Sequence, residues 1–312
     1  MSDVVLVTGA TGFAGSWLVR RLASPDTVVA WGRSAPAPGL AELATWQQMD
    51  LLARDQVREA IAALRPTAVY HLAGAAHQAE SWRDTATPLR GNVLATAHLL
   101  DAIRRARLDC RVLLTGSAAV YAPSEEPIAE SGPRTPASPY ALSKLAQELV
   151  ALNAFADDGV GAIVVRPFNH TGPGQSTAFV APAMARQIAL IEQGRLEPVL
   201  RVGNLDAVRD LSDVRDVVRA YVALMDRGTP GTIYNVGSGT GRTIRSVLDA
   251  LVSRSQVPVR VETDPERLRP SDVPSLVADT TRLREATGWE PQIPFERTLD
   301  ELLQYWRGAV GE

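Results

Sequence analysis

The sequence predicts an α/β fold: a doubly wound parallel sheet with helices on both faces and a smaller lobe interleaved with its last strands. Three observations carry this. Apolar runs of strand length at residues 4–7, 27–31, 67–72, 111–115 and 162–166 alternate with amphipathic, helix-length stretches such as 55–64 and 92–106. The runs are solid rather than alternating, the pattern of strands covered on both faces. A glycine-rich turn joins the first run to a helical segment, as in a βαβ unit with a right-handed crossover.

The first run ends in Thr8-Gly9-Ala10-Thr11-Gly12-Phe13-Ala14-Gly15, and the helix continues through Trp17-Leu18-Val19. The three glycines permit a tight turn, close approach of backbone to a pyrophosphate, and close packing of helix on sheet. The helix N-terminus adds free N–H groups and a dipole that favours an anion. With a strand before it and a helix after it, the turn reads as a dinucleotide site that includes Thr11 and Phe13. The second run closes on Trp31-Gly32-Arg33-Ser34. An acidic residue here would hold an adenosine ribose 2′-hydroxyl, whereas Arg33 and Ser34 suit a 2′-phosphate. NADP(H) is therefore preferred, with NAD(H) possible if Arg33 is a solvated loop residue.

A surface loop, Ser34-Ala35-Pro36-Ala37-Pro38-Gly39, leads to the next strand, which ends in Gln48-Met49-Asp50-Leu51. Asp50, beside Leu51, is a candidate acceptor for the adenine amino group; capping of its own loop is the other reading. Leu72 ends the run at 67–72 and Ala73 follows it, and Pro167 follows the run at 162–166. Ligand belongs at these carboxyl strand ends, and all three are candidate cofactor contacts.

Thr115-Gly116-Ser117 ends the run at 111–115, and Tyr140-Ala141-Leu142-Ser143-Lys144 opens a helical segment near Pro139. Tyr140 and Lys144 are one turn apart and project from one face. A phenol with a pKa near ~10 is a poor base at neutral pH, but an ammonium and an oxidised nicotinamide both favour its ionised form. Tyr140 then exchanges a proton with an alcohol or ketone oxygen, Lys144 holds the nicotinamide ribose, and Ser117 orients the reacting oxygen. A half-buried tyrosine, a surface lysine and a capping serine are the bland readings of each residue alone. Together, downstream of the glycine turn, the three point to nicotinamide-dependent oxidoreductase chemistry.

After Pro167 the pattern loosens. A helix is expected over 179–193, short strands near 198–202 and 233–236, and helices near 214–226, 244–253 and 280–287. The expected division is a cofactor-binding domain over 1–167, with further sheet strands from about 205–240, and a mainly ligand-binding lobe over 168–312.

The chain of 312 residues is 46% hydrophobic and 21% charged, enough to bury a full α/β core and a second small lobe. A net charge of -3 gives no basic footprint, which argues against a nucleic-acid partner. No apolar stretch has membrane-spanning length and no basic segment precedes the first strand, so a cytoplasmic protein without a membrane partner is expected. The single cysteine, Cys110, excludes an intrachain disulfide and reads as a packed core residue. His71, His77, His98 and His170 show no ligand spacing, and no metal is expected.

These residues carry a family resemblance. The chain resembles, over essentially its whole length, the extended short-chain dehydrogenase/reductases of the NAD(P)-dependent nucleotide-sugar epimerase/dehydratase family, which have a Rossmann fold. Arg166-Pro167-Phe168-Asn169-His170-Thr171-Gly172-Pro173-Gly174-Gln175, Gly203–Asp210 and Leu268-Arg269-Pro270-Ser271-Asp272-Val273-Pro274 look like the branch that handles GDP-6-deoxyhexoses. The resemblance implies that Asn169 binds the sugar-nucleotide phosphates, that Arg209 and Arg269 pair with the diphosphate and ribose region, and that Asp272 helps hold the nucleoside. It also implies substrate contacts at Phe179 and Val180. Arginine forks match phosphate geometry, and a surface salt bridge is the alternative for each arginine. Phe168 has two readings, a flank of the nicotinamide or a core residue.

The activity implied is NADPH-dependent reduction of the C4 ketone of GDP-4-keto-6-deoxy-D-mannose to GDP-6-deoxy-D-mannose, by a homodimer whose helices near 92–106 and after Tyr140 pack with their mates. Dehydratases of the branch resemble this chain but place a threonine where Ser117 stands and a glutamate two residues on. Here that place is Ala119, which cannot act as acid or base, and Glu125 and Glu126 fall in a loop. Some reductase relatives carry a glutamate there too. A dehydratase or a 4-epimerase using the same triad with NAD remains an alternative, as does a non-catalytic NADP-sensing protein.

Overall fold

Strand β1 (Val5–Thr8) runs through the glycine turn into helix α1 (Phe13–Leu22) and returns as β2 (Val28–Gly32). Next come β3 (Thr45–Gln48), α2 (Arg54–Leu64), β4 (Ala68–His71) and the short turn α3 (Ala86–Pro88). A π-helical segment, Leu89–Leu94, runs on into α4 (Ala95–Arg105), followed by β5 (Arg111–Thr115), α5 (Pro139–Asp158) and β6 (Gly161–Pro167). The remaining chain carries β7 (Asn169–Thr171), α6 (Val180–Glu192), β8 (Val199–Val202), β9 (Val208–Asp213), α7 (Val214–Arg227) and β10 (Ile233–Val236). It ends with β11 (Gly241–Thr243), α8 (Ile244–Val252), β12 (Arg260–Thr263), β13 (Ser275–Leu276), α9 (Thr281–Thr287) and α10 (Phe295–Gly311). The structure, a computed structural model, describes residues 3–76, 80–267 and 273–311.

Seven strands, all parallel, form the main sheet in the order β10-β6-β5-β4-β1-β2-β3. The chain steps outward from β1 to β3, then crosses to β4 on the other side of β1. Direction therefore reverses between β1 and β4, where Thr8 lies opposite His71, and the switch point opens a crevice beyond those strand ends.

Successive β1 residues point to opposite faces, so Leu6 and Val7 enter different cores. Val7 packs with Leu18, Val19, Val217 and Tyr221 of α1 and α7. Leu6 packs with Val57, Ile61, Leu99 and Ile103 of α2 and α4. Both faces are covered, which is why the strands read as solid apolar runs.

Helix α5 begins where Ser138 Oγ accepts from the Ala141 N–H at 3.1 Å, with Pro139 in its first turn, and ends at Gly159 in the left-handed region at φ 71°. That start puts Tyr140 and Lys144 in the first two turns, beside the carboxyl end of β5.

Of residues 205–240, β10 alone joins the main sheet. The plural strands expected there reduce to one, because β9 instead centres a four-stranded sheet with β7, β11 and β13. Leu211 of β9 packs into a separate core with α6, α8 and α10, around Ile188, Leu200, Leu248 and Leu302. Strands β8 and β12 pair with each other. No described helix is long and apolar enough to cross a membrane.

Candidate active site

At the switch point the glycine turn is welded to β4. Gly9 sits at φ +70°, and a Cβ there would lie 2.6 Å from Ala73 N and 2.7 Å from the Leu72 carbonyl carbon. A Cβ on Gly15 would run into the Gly9 carbonyl oxygen, so only glycine lets α1 start this close to the turn. Gly12 caps α1 without any side-chain hydrogen bond, leaving the first N–H groups of the helix for an anion. Thr11 and Phe13 flank it, and the Phe13 ring stacks on His170 at 5.9 Å and 4°. The turn is thus tied to the segment after β6 as well as to β4.

Arg33 and Ser34 are exposed immediately after β2, with Gln48 Nε2 donating to the Arg33 carbonyl at 2.9 Å. Asp50 accepts from the Leu52 N–H at 3.0 Å and so caps its own turn, while Leu51 is buried. Leu72 donates its N–H to Thr8 O at 3.1 Å, and Ala73 follows it. These residues lie at the carboxyl ends of β1, β2, β3 and β4. They fit a dinucleotide: free helix N–H groups for a pyrophosphate and a guanidinium at the far end.

Ser117, just past β5, accepts from the Ala119 N–H at 3.1 Å and is hydrogen-bonded to the Tyr140 hydroxyl. Burial raises the Tyr140 pKa, and the Ser117 hydrogen bond opposes that rise. Lys144 is 5% exposed; its Nζ donates to Thr115 O at 2.8 Å and to Gln147 Oε1 at 2.9 Å. Burial pushes its pKa down to about 7. A serine hydroxyl, a phenol and an ammonium are therefore gathered at the carboxyl end of β5. Together they can hold an oxygen, move a proton to or from it, and charge the site.

Pro167 ends β6 and lies on the same edge. Phe168 is buried with Tyr121, Val120, Ile128 and Ala278, so its core reading holds. Asn169 is exposed at the start of β7. Phe179 and Val180 form the N-terminus of α6, which has no side-chain cap. Arg209 on β9 is half-buried and donates from Nη1 to Val208 O at 2.9 Å and to Val273 O at 2.7 Å. It thereby reaches the residue that follows the stretch holding Arg269 and Asp272, which lie outside the described residues, as does His77. Ala119 is half-buried, and Glu125 and Glu126 are exposed.

Sequence reasoning gave no role to Gln147, three residues after Lys144, or to the His170 ring. A polar residue on the buried face of a helix at that spacing was the available signal for the first.

The GDP-mannose 4,6 dehydratase family model matches residues 6–302. The chain is 37% identical over 315 residues to the GDP-6-deoxy-D-mannose reductase of Pseudomonas aeruginosa, covering 100% of each. It is 33% identical over 319 residues to a UDP-glucose 4-epimerase of Azospirillum brasilense, covering 93% of this chain and 88% of the relative. Among solved structures, RMD from Pseudomonas aeruginosa complexed with NADPH superposes with a TM-score of 0.85 at 35% identity, over 99% of this chain and 100% of that one.

Proposed function

The chain belongs to the GDP-mannose 4,6 dehydratase family of extended short-chain dehydrogenase/reductases, and from that premise we propose that it reduces the C4 ketone of GDP-4-keto-6-deoxy-D-mannose to GDP-6-deoxy-D-mannose with NADPH. The observation that carries the reading is a complete Ser117–Tyr140–Lys144 constellation with Ala119 in place of a further acid or base. Ketone reduction needs one hydride and one proton. Loss of water from a hexose needs a group that removes a carbon-bound proton, and Glu125 and Glu126 are exposed in the loop beyond Tyr121.

When bound, the nicotinamide supplies the hydride. Tyr140 gives its phenolic proton to the ketone oxygen as the C4–H bond forms, so the carbonyl becomes an alcohol and the phenolate is re-protonated from solvent. Ser117 holds and orients that oxygen. Lys144 holds the nicotinamide ribose, and its charge keeps the phenolate accessible. Gly9, Thr11, Gly12, Phe13 and Gly15 take the pyrophosphate, and Arg33 with Ser34 the 2′-phosphate. On the sugar-nucleotide side, Asn169, Phe179, Val180 and Arg209 are the assigned contacts, in the lobe formed mainly by 168–312.

The reading includes a homodimer and a cytoplasmic location. Leu142 and Leu149 of α5 are 52% and 50% exposed, seven residues apart on one face, and Leu89 and Leu94 before α4 are 43% and 44% exposed. A second copy presenting the same band would bury them.

The test is oxidation of NADPH, with NADH alongside, by freshly generated GDP-4-keto-6-deoxy-D-mannose, the C4 configuration of the product assigned by NMR and GDP-mannose run in parallel. Consumption of NADPH with a rhamno product is expected. An inert ketone together with loss of water from GDP-mannose, without net cofactor change, would replace this reading with a dehydratase.

A further inference from the structure

Gln147 has no exposure and bridges two buried groups. Its Oε1 accepts from Lys144 Nζ at 2.9 Å, and its Nε2 donates to Thr96 Oγ1 of α4 at 2.8 Å. Thr96 sends its own hydroxyl hydrogen to Asn92 O at 2.6 Å, so its oxygen is an acceptor toward Gln147 and toward His71 Nε2, 2.8 Å away. His71 then carries its hydrogen on Nε2, and its Nδ1 accepts from the Thr8 hydroxyl at 2.7 Å. Thr8, His71, Thr96 and Gln147 are all 0% exposed.

This order fixes the Gln147 amide. With its oxygen toward Thr96 it would face a hydroxyl whose hydrogen is already committed, and with its nitrogen toward Lys144 it would set donor against donor. A carboxylate at 147 accepts from Lys144 but cannot donate to Thr96, and an apolar side chain does neither.

Resting on the reading of Lys144 as the group that holds the cofactor ribose, we propose that Gln147 is a positioning residue: its carboxamide fixes the Lys144 ammonium and ties it, through Thr96 and His71, to Thr8 at the glycine turn. Two of the three ammonium hydrogens are spent on Thr115 O and Gln147 Oε1, which leaves the third for the ribose. Burial works against the ammonium, and an acceptor on it favours the charged form.

Among the described residues, the charged and titratable groups on the elements packed about Lys144 are few. Tyr140 and Glu148 share its helix, and Glu148 is paired with Arg166 of β6. His71 on β4 is held neutral, chiefly by burial. The π-helical segment packed on α5 carries Arg90, and the short turn Glu80–Trp82, also packed on α5, carries Glu80; both are exposed. β5 and α4 present the uncharged Thr115 and Thr96 at this level.

The experiment measures NADPH affinity by fluorescence across pH, and kcat/KM with GDP-4-keto-6-deoxy-D-mannose across the same range, for the parent, Gln147→Met and Gln147→Glu. One hydrogen bond to a charged group corresponds to about one pH unit, or ~10-fold at fixed alkaline pH. Gln147→Met is expected to move the alkaline limb of both profiles down by about one unit, and Gln147→Glu to move it up. Limbs that stay in place, or a uniform loss at every pH, overturn the proposal, since a packing role alone would give that. If Gln147→Met does not fold, Gln147→Glu decides: an upward displacement supports, and none or a downward one overturns. A parent that binds NADPH but leaves the ketone untouched defeats the substrate reading above, while the binding profiles still decide Gln147.

Discussion

Arg166 of β6 and Glu148 of α5 meet as a two-pronged ion pair, Nε to Oε2 at 2.9 Å and Nη2 to Oε1 at 2.5 Å, with neither side chain exposed. The guanidinium also donates from Nη1 to the Tyr121 hydroxyl at 2.7 Å and to Glu130 O at 2.9 Å. Tyr121 in turn donates to Asn235 Oδ1 at 2.7 Å. The pair therefore clamps the helix that carries Tyr140 and Lys144 to the sheet, to the loop after Ser117, and to β10.

Breaking one side of that clamp strands a buried guanidinium. Removing one partner of a buried pair costs about 3–5 kcal/mol. Glu148→Ala is expected to lose stability of that order in urea unfolding, a far larger effect than truncating an exposed carboxylate such as Glu125. A loss below ~1 kcal/mol would mean that α5 is held by its apolar contacts alone.

Tyr140→Phe removes the proton donor and little else. The expected outcome is a kcat lower by ~10²–10⁴ with NADPH affinity close to the parent's, because general acid–base catalysis is worth about that much and Phe keeps the ring. Stopped-flow NADPH oxidation and fluorescence titration measure the two quantities separately. A variant as active as the parent would assign the proton to another group and would bring back a cofactor-sensing role.

The main sheet was legible because its signal is local: each strand is a short apolar run buried on both faces, and each crossover helix carries its own period. The lobe sheets carry no such signal. β7 and β11 are three residues long with mostly exposed or half-buried positions, and β9 takes a parallel partner from residues 275–276, far along the chain. Helix α10 was not predicted, although Phe295, Leu299, Leu302 and Leu303 recur at helical spacing and are buried. In the site, Tyr140 and Lys144 were readable as an i, i+4 pair. Gln147 was not, because its meaning depends on Thr96, fifty-one residues away in sequence, and on His71 of a third element.

Leu142 and Leu149 test the proposed assembly. A glutamate at each leaves α5 helical, since both positions face outward, but sets charges opposite one another across a two-fold interface. The double variant Leu142→Glu, Leu149→Glu is expected to be monomeric at micromolar concentration in light scattering, and the parent is expected to be a dimer there. A parent that is itself monomeric there removes the homodimer from the reading.

His71 gives the fold a pH dependence whose sign is fixed by its burial. Both ring nitrogens are engaged in neutral hydrogen bonds, and burial, with the nearby Lys144 charge adding to it, pushes the pKa from 6.5 down to about 3. Below about pH 6.5 the unfolded chain takes up a proton that the folded chain refuses until about pH 3, so acidification favours unfolding across that window. The group contributes up to ~1.4 kcal/mol of lost stability per pH unit there. Carboxylates titrate in the same range, but they are common to a His71→Gln variant and cancel in the difference. Urea unfolding at pH 7, 6, 5 and 4 should therefore show the parent losing stability more steeply than His71→Gln below pH 6.5, with parallel curves above it. Parallel curves throughout would mean that the folded protein can protonate His71, which requires breaking its bond from Thr8 and opening the path that runs from the glycine turn to Lys144.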